Sequence, residues 1–389
     1  MVGNVPASQY YLLYMSGLGA NPAELGFLRS LGLISTSLTS VPAGWLCDRY
    51  SVKRILIAGL ILHLIVSINF ALANNWVWLL PACAFAFIGY NLHREASSLL
   101  LVNALKKIDR GMGMGINRAL VALPGLVCPF IAAYIISSFG GFNAQGIRPL
   151  YYIQMAGFVI IIALMWVMLK DSRVESIGKS SFSGDVRGVF EEGVALKRWI
   201  FMVAVLSFTD GMIIPIRPLY LVDVKSADPY ILAAMTSAAT IILLLFAVPI
   251  GRLSDRIGRK KVIFLLRPLL YLSRILIVLA PSPQFLILVG VFNAFASLIT
   301  VTGVLWITMQ MELVEPSRRG IWQGIVLMLR GVFKTPAAII GGILYMRIDP
   351  SILFIAPIII DMLVIIPILA TIPETLNLEI TASKTTRTL

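Results

Sequence analysis

The sequence predicts an all-α polytopic membrane protein built of two pseudo-symmetric six-helix bundles, twelve spans in all, with the first helix shortened. Three observations carry that prediction: a composition too apolar for a soluble surface, apolar runs of bilayer length, and a motif that recurs once in each half. Of the 389 residues 58% are hydrophobic and 13% are charged, with a mean hydropathy of +0.89. A soluble domain carries about 25% charged residues. Here the apolar residues fall in runs of roughly 18–25, each long enough to cross about 30 Å of hydrocarbon as a helix. The alternating segments of about ten residues that would mark a transmembrane barrel are absent.

Read against their Gly, Pro, Lys and Arg breakers, the first six spans fall at 1–18, 24–46, 55–73, 76–101, 112–138 and 149–169. The stretch 170–198 is too charged to enter lipid and reads as a cytoplasmic linker. Six more spans follow at 199–221, 230–250, 261–280, 284–310, 320–346 and 352–372. The organisation is therefore a bundle over 1–169, the linker, a bundle over 199–372, and a polar tail over 373–389. Tyr11-Leu12 in the first span resembles Tyr220-Leu221 in the seventh, which has about ten more residues upstream. The first span is thus expected to lack its cytoplasmic portion, through an upstream start or a trimmed chain.

A net charge of +13 could point to nucleic acid, but its distribution points to a bilayer. Most of the 32 lysines and arginines fall on one side of the predicted spans, around 49–54, 106–110, 170–198, 252–261, 318–319 and the tail. The opposite loops carry Arg148, Arg217, Lys225 and Arg347. This asymmetry makes the basic loops cytoplasmic, and anionic lipid headgroups account for the charge without a nucleic-acid partner. Cys47, Cys83 and Cys128 have neither metal nor disulfide spacing and read as free thiols. The first basic residue is Arg29, so no secretory signal is expected.

The recurring motif sits at the cytoplasmic end of the second span of each half: VPAGWLCDR at 41–49 and VPIGRLSDR at 248–256, alike at six of nine positions. A second anchor follows, with Arg110-Gly111 and Gly115-Ile116 matching Arg319-Gly320 and Gly324-Ile325. The separation from Asp48 to Arg110 is 62 residues and from Asp255 to Arg319 is 64. Two anchors at nearly one spacing imply a duplicated six-helix unit, an arrangement common in secondary transporters.

These residues resemble the major facilitator superfamily, whose signature loop reads roughly G-x-L-x-D-R-x-G-R-R/K-R/K. The second copy matches it throughout, including Gly251, Asp255, Arg256, Gly258, Arg259 and Lys260. The first keeps Gly44, Asp48, Arg49, Lys53 and Arg54 but places Ser51 and Val52 where the pattern has Gly and a basic residue. The resemblance implies that these loops are conformational switches that stabilise the outward-facing state. Glycines let helix backbones approach, and an Asp among arginines can pair in one state and release in another. Fainter likenesses are Gly125-x-x-x-Pro129 with Ala132-Ala133 to the fifth helix of proton antiporters, and Pro373-Glu374-Thr375 to the end of sugar porters. Thr335-Pro336 and Gly341-Gly342 echo the former in the eleventh span.

A charge at the bilayer centre costs at least about 2.5–3.5 kcal/mol on insertion scales, so each needs a reason. Counting along the spans puts Asp210, Lys334 and Asp361 near the midplane, with Arg330 one turn from Lys334. The resemblance implies that helices 1, 4, 7 and 10 line a cavity flanked by 2, 5, 8 and 11, with 3, 6, 9 and 12 outside. Asp210, Lys334, Arg330, Arg118, Arg94 and Glu95 are then candidates for substrate binding or ion coupling. Asp361 and Arg274, on two outer helices, are expected to pair structurally, and His63 to pack.

No phosphate-binding glycine loop, metal cluster or catalytic triad is seen, so no enzyme, cofactor or metal is expected. The expected partners are the bilayer, a small solute and protons as coupling ion, with the chain acting as a monomer in the plasma membrane. Three functions fit: a porter of organic anions or polar metabolites, a proton-coupled multidrug exporter, and a non-transporting sensor on the same scaffold.

Overall fold

The computed structural model describes residues 9–104, 117, 120–169, 194–300, 303–314 and 319–375. The expectations for residues 1–8, for Arg118, for most of the linker, for the Arg110 anchor and for the tail after Thr375 lie outside these residues. Of Gly44, Asp48 and Arg49 only the helical backbone is described.

The described chain is helical and follows the predicted order. The first half comprises α1 (Tyr11–Gly17), α2 (Pro22–Arg49), α3 (Val52–Leu72), α4 (Leu79–Ala104), α5 (Pro124–Ser138) and α6 (Ala144–Met168). The second comprises α7 (Val194–Ile213, resumed after a break at Arg217–Leu219), α8 (Pro229–Ile257) and α9 (Arg259–Leu279). It continues with α10 (Leu286–Ile299, resumed at Val304–Glu312), α11 (Arg319–Arg347) and α12 (Ile352–Ile360, continued through a π-turn at Asp361–Ile365 to Ile366–Thr371). Among the described residues, eight helices are long and apolar enough to cross a membrane by themselves, and the two parts of α7 make a ninth span bent by 42°.

The duplication is clearest in the helix ends. The bounds of α3 and α9 differ by 207 residues, as do the single-turn helices Trp76–Trp78 and Pro283–Phe285 that follow them. The same offset relates the caps of α2 and α8. Asn21 and Asp228 each accept from the third residue of their helix, Glu24 and Ile231, and a proline follows each cap. Such caps satisfy orphan N–H groups where the chain turns back into lipid. At the other ends of α3 and α9, the carbonyls of Ala73 and Ala280 are capped by Arg148 at 2.6 Å and Lys225 at 3.3 Å.

One buried core spans both halves at the end remote from the motif loops, each half has a separate core toward those loops, and the halves meet along α2–α11 and α5–α8. Gly26 and Gly342 make the first contact possible: a Cβ on either would lie 2.2 Å from a carbonyl oxygen, of Ala338 or of Pro22. Alongside them Ser30 donates to the Thr335 carbonyl at 2.6 Å. In the second seam Ser237 donates to the Leu126 carbonyl at 2.9 Å. Among the described residues these close contacts run from the ends remote from the motif loops as far as Gly331, where a Cβ would meet the Ser37 side chain. Toward those loops Leu38 of α2 is 71% exposed, and Gly251 and Gly324 have nothing within 4 Å of a notional Cβ.

Candidate functional site

The break in α7 builds the site. Pro215 and Pro218 have no N–H to donate and their rings obstruct the preceding turn, so the helix stops at Ile213 and restarts at Arg217. Asp210 stands just before the break and Arg217 just after it, and both line a cavity of about 320 Å³ within the second half. Arg274 of α9, Lys334 of α11 and Asn293 of α10 complete its polar wall, with Ile214, Val289 and Phe354 on the apolar side. Arg274 bonds to Asp210 at 3.2 Å. Arg217 and Lys334 have no carboxylate within ion-pair distance among the described residues. Lys334 lies within electrostatic reach of Asp210, Arg330 and Arg29. The cavity therefore presents three cations to one carboxylate.

Three sequence expectations need correction here. Asp361 does not pair with Arg274. It sits on the π-turn of α12 and takes two bonds from Arg267, at 2.8 and 2.6 Å, and a third from the Tyr271 hydroxyl. Arg267 and Arg274 share one face of α9, but seven residues set them about 10.5 Å apart along the helix, and Asp361 lies at the depth of Arg267. Arg274 instead reaches inward, so α9 contributes to the cavity although it was placed among the outer helices. Arg217, assigned to an external loop, also lies on the cavity wall because the broken helix carries it there.

Arg94 and Glu95 pair with each other at 2.5 Å, and Arg94 lies 5.8 Å from the Tyr90 ring. They do not join the cavity around Asp210. Arg330 lies near Asp210 and Lys334 electrostatically, and its Nε has no hydrogen-bond partner. His63 is buried, is stacked on Phe158 at 5.4 Å, and lines the cavity around Arg29. Arg29 was missed as a membrane-depth charge. It stands on α2 in a second cavity, of about 520 Å³, which lies mainly in the first half and shares Ile214 with the cavity around Asp210. Its sequence signal is a lone arginine, the sixth residue of the apolar span at 24–46.

At the motif loop of the second half the residues form a connected network. Gly258, at φ +107°, ends α8 in a conformation that favours glycine. A Cβ there would also lie 2.5 Å from the Glu374 carboxylate. Glu374 accepts from the Arg259 N–H at 2.9 Å and the Lys260 N–H at 3.2 Å, at the positive end of α9. The buried Arg259 guanidinium bonds to Glu312 at 2.7 Å and Asp255 at 3.2 Å, and Thr375 donates to Glu312 at 2.5 Å. Lys260 caps the end of α12 through the carbonyls of Ala370 and Ile372, at 2.6 and 2.8 Å. Arg256 is exposed. Pro373-Glu374-Thr375, read from sequence as the start of a polar tail, is thus docked onto the loop. In the first copy, Lys53 donates to the Trp166 carbonyl at 2.7 Å, and Arg54 is exposed.

Comparison with known proteins places this arrangement. The family model described as Major Facilitator Superfamily matches residues 4–224 and again 199–387. The niacin transporter NiaP of Acinetobacter baylyi is 29% identical over 133 residues, 33% of this chain and 30% of that protein. The multidrug resistance protein MdtG of Dickeya zeae is 22% identical over 262 residues, 64% of this chain and 62% of that protein. The chain thus spans less than two thirds of the length of either curated relative. Among solved structures, the nucleoside transporter NupG superposes with a TM-score of 0.73 at 15% identity, covering 95% of this chain and 97% of that one, a likeness of fold. The chain belongs to the Major Facilitator Superfamily.

Proposed function

We propose that the chain is a secondary transporter that moves a small organic anion by alternating access, with the cavity between α7, α9 and α11 as its solute site. One observation carries this reading: Arg217, Arg274 and Lys334 face that cavity against the single carboxylate of Asp210. Cations at membrane depth are expensive, and an anionic solute supplies the charge that the protein does not. The broken α7 favours the same place, since discontinuous helices mark solute sites in transporter folds. The solute leaves as it entered, so no chemical step and no cofactor is called for.

In this mechanism residues 1–169 rock against 199–389, tethered by the 170–198 linker, and the motif loops lie in the cytoplasm of a monomer in the plasma membrane. Contacts running from the opposite end suit a conformation open to the cytoplasm. Protons are the proposed coupling ion. Protonating Asp210 would release Arg274, leaving Arg217, Arg274, Lys334 and the nearby Arg330 to hold the anion. The relative that carries niacin, itself a small organic acid, fits this reading.

A second reading, proton-coupled export of lipophilic drugs, draws on the aromatic cavity beyond Ile214 and on the multidrug relative. Thermal-shift assays on purified protein and on Lys334→Ala separate the two. Stabilisation by organic anions, lost in Lys334→Ala, supports the anion porter. Stabilisation by lipophilic cations, kept in that variant but lost in Asp210→Asn, overturns it in favour of drug export.

A further inference from the structure

The cavity around Arg29 is built differently from the one around Asp210. Its volume, about 520 Å³, falls within the range of roughly 300–1,000 Å³ typical of small-molecule sites. Tyr11, Phe70, Phe87, Tyr90 and Tyr151 line it from four helices of the first half. The Arg29 guanidinium lies 5.0 Å from the Phe87 ring centroid and 6.0 Å from that of Tyr11. The Tyr11 hydroxyl also reaches Arg29, and no carboxylate of the described residues pairs with the guanidinium, whose planar fork suits one. The Arg29 Nε has no hydrogen-bond partner, nor does the hydroxyl of Tyr151, a residue only 4% exposed. The Gln9 Nε2 on the same wall is likewise unpartnered. Buried polar atoms without partners are uncommon, and three around one apolar cavity point to a ligand that supplies acceptors. Ile214 alone bridges the linings of the two cavities, and Lys334 lies within electrostatic reach of Arg29.

We propose that the transported anion carries a planar aromatic ring, held among the aromatic side chains of the first half with its carboxylate on Arg29, and that Arg29 and Tyr151 determine this specificity. The proposal rests on the anion-porter reading and adds the body of the solute to its charge. The ring takes the apolar walls, where aromatic faces pack edge-to-face or offset. The carboxylate takes the Arg29 edge and the Tyr151 hydroxyl as donors, leaving Lys334 across Ile214 to receive it when the halves rock.

The test uses the full chain in detergent and follows binding by thermal shift and calorimetry. The probes are benzoate, phenylacetate and indole-3-acetate, with cyclohexanecarboxylate as the saturated match of benzoate, benzamide as its uncharged match, and acetate as the bare anion. At least one aromatic acid is expected to bind about tenfold more tightly than cyclohexanecarboxylate and acetate, with benzamide inert. Removing a charge-assisted hydrogen bond weakens binding by roughly 10- to 100-fold, so Arg29→Gln should lose that much for the aromatic acid. Tyr151→Phe should lose less. The ring-matched comparison needs no variant and stands even if Arg29→Gln fails to fold. Equal binding of aromatic and aliphatic acids, lost in Lys334→Ala, would overturn this proposal while leaving the anion porter intact. Binding of none of the acids would overturn both.

Discussion

Lys53 and Lys260, 207 residues apart, make the same contact in the two halves. Each sends its ammonium to the free carbonyls at the end of the sixth helix of its own bundle, Lys53 to Trp166 and Lys260 to Ala370 and Ile372. A cation at a helix C-terminus is favoured by the helix dipole, so the capping half of the motif survives in both copies. The residue before each lysine differs. Arg259 is buried between Glu312 and Asp255, whereas its counterpart Val52 is fully buried in an apolar cluster. The charged network is therefore built in the second half, and the first copy retains the lysine clamp.

Glu312→Ala removes the close, buried partner of Arg259 and leaves Asp255, which is 64% exposed. Breaking a buried pair costs about 3–5 kcal/mol, so a clear fall in melting temperature is expected. The double variant Arg259→Val with Glu312→Val should recover most of it, since the first half holds a valine there. Thermal unfolding in detergent checks both, and no recovery in the double variant would refute the account.

Arg267 and Asp361 should couple strongly in a double-mutant cycle, because both are nearly inaccessible and share two bonds. Asp361→Ala should cost about 3–5 kcal/mol of stability. Asp361 and Arg274 should couple weakly, with Arg274 coupling to Asp210 instead. A dominant Asp361–Arg274 term would contradict the geometry.

Lys334→Ala and Arg217→Ala should each weaken anion binding by roughly 10- to 100-fold, as expected for loss of a charge-assisted contact. Asp210→Asn should preserve or tighten anion binding, since Arg274 is released, while making uptake insensitive to an imposed proton gradient. Counterflow and gradient-driven uptake in proteoliposomes separate the two effects. Gradient-driven uptake that survives Asp210→Asn would remove Asp210 from coupling.

Cross-linking a Ser30→Cys, Thr335→Cys pair should hold the α2–α11 seam shut and stop transport, with activity returning on reduction of a cleavable linker. Gly26→Val should act oppositely, because a Cβ there meets the Ala338 carbonyl at 2.2 Å. Cysteines on the motif-remote ends should then become more reactive to a membrane-impermeant thiol reagent. Unchanged labelling would show that the seam does not move.

The sequence by itself determined the class of the molecule, because apolar run length and loop charge are local quantities that a bilayer reads directly. The duplication was legible for a similar reason: a helix end and loop repeated at one offset, with Gly44 and Gly251 in the last turns of α2 and α8, leave residue-level traces. Which charges meet was left to the tertiary structure. Asp361 chooses Arg267 over Arg274 on depth alone, two turns apart on one helix face, and edges read from sequence are looser than that. Arg217 reads as a loop residue until Pro215 and Pro218 break α7 and set it on the cavity wall. Arg29, a single cation in an apolar run, gains meaning only when aromatic side chains from other helices surround it. Ion pairing and cavity shape depend on the depth and rotation of several helices at once, and only packing sets those.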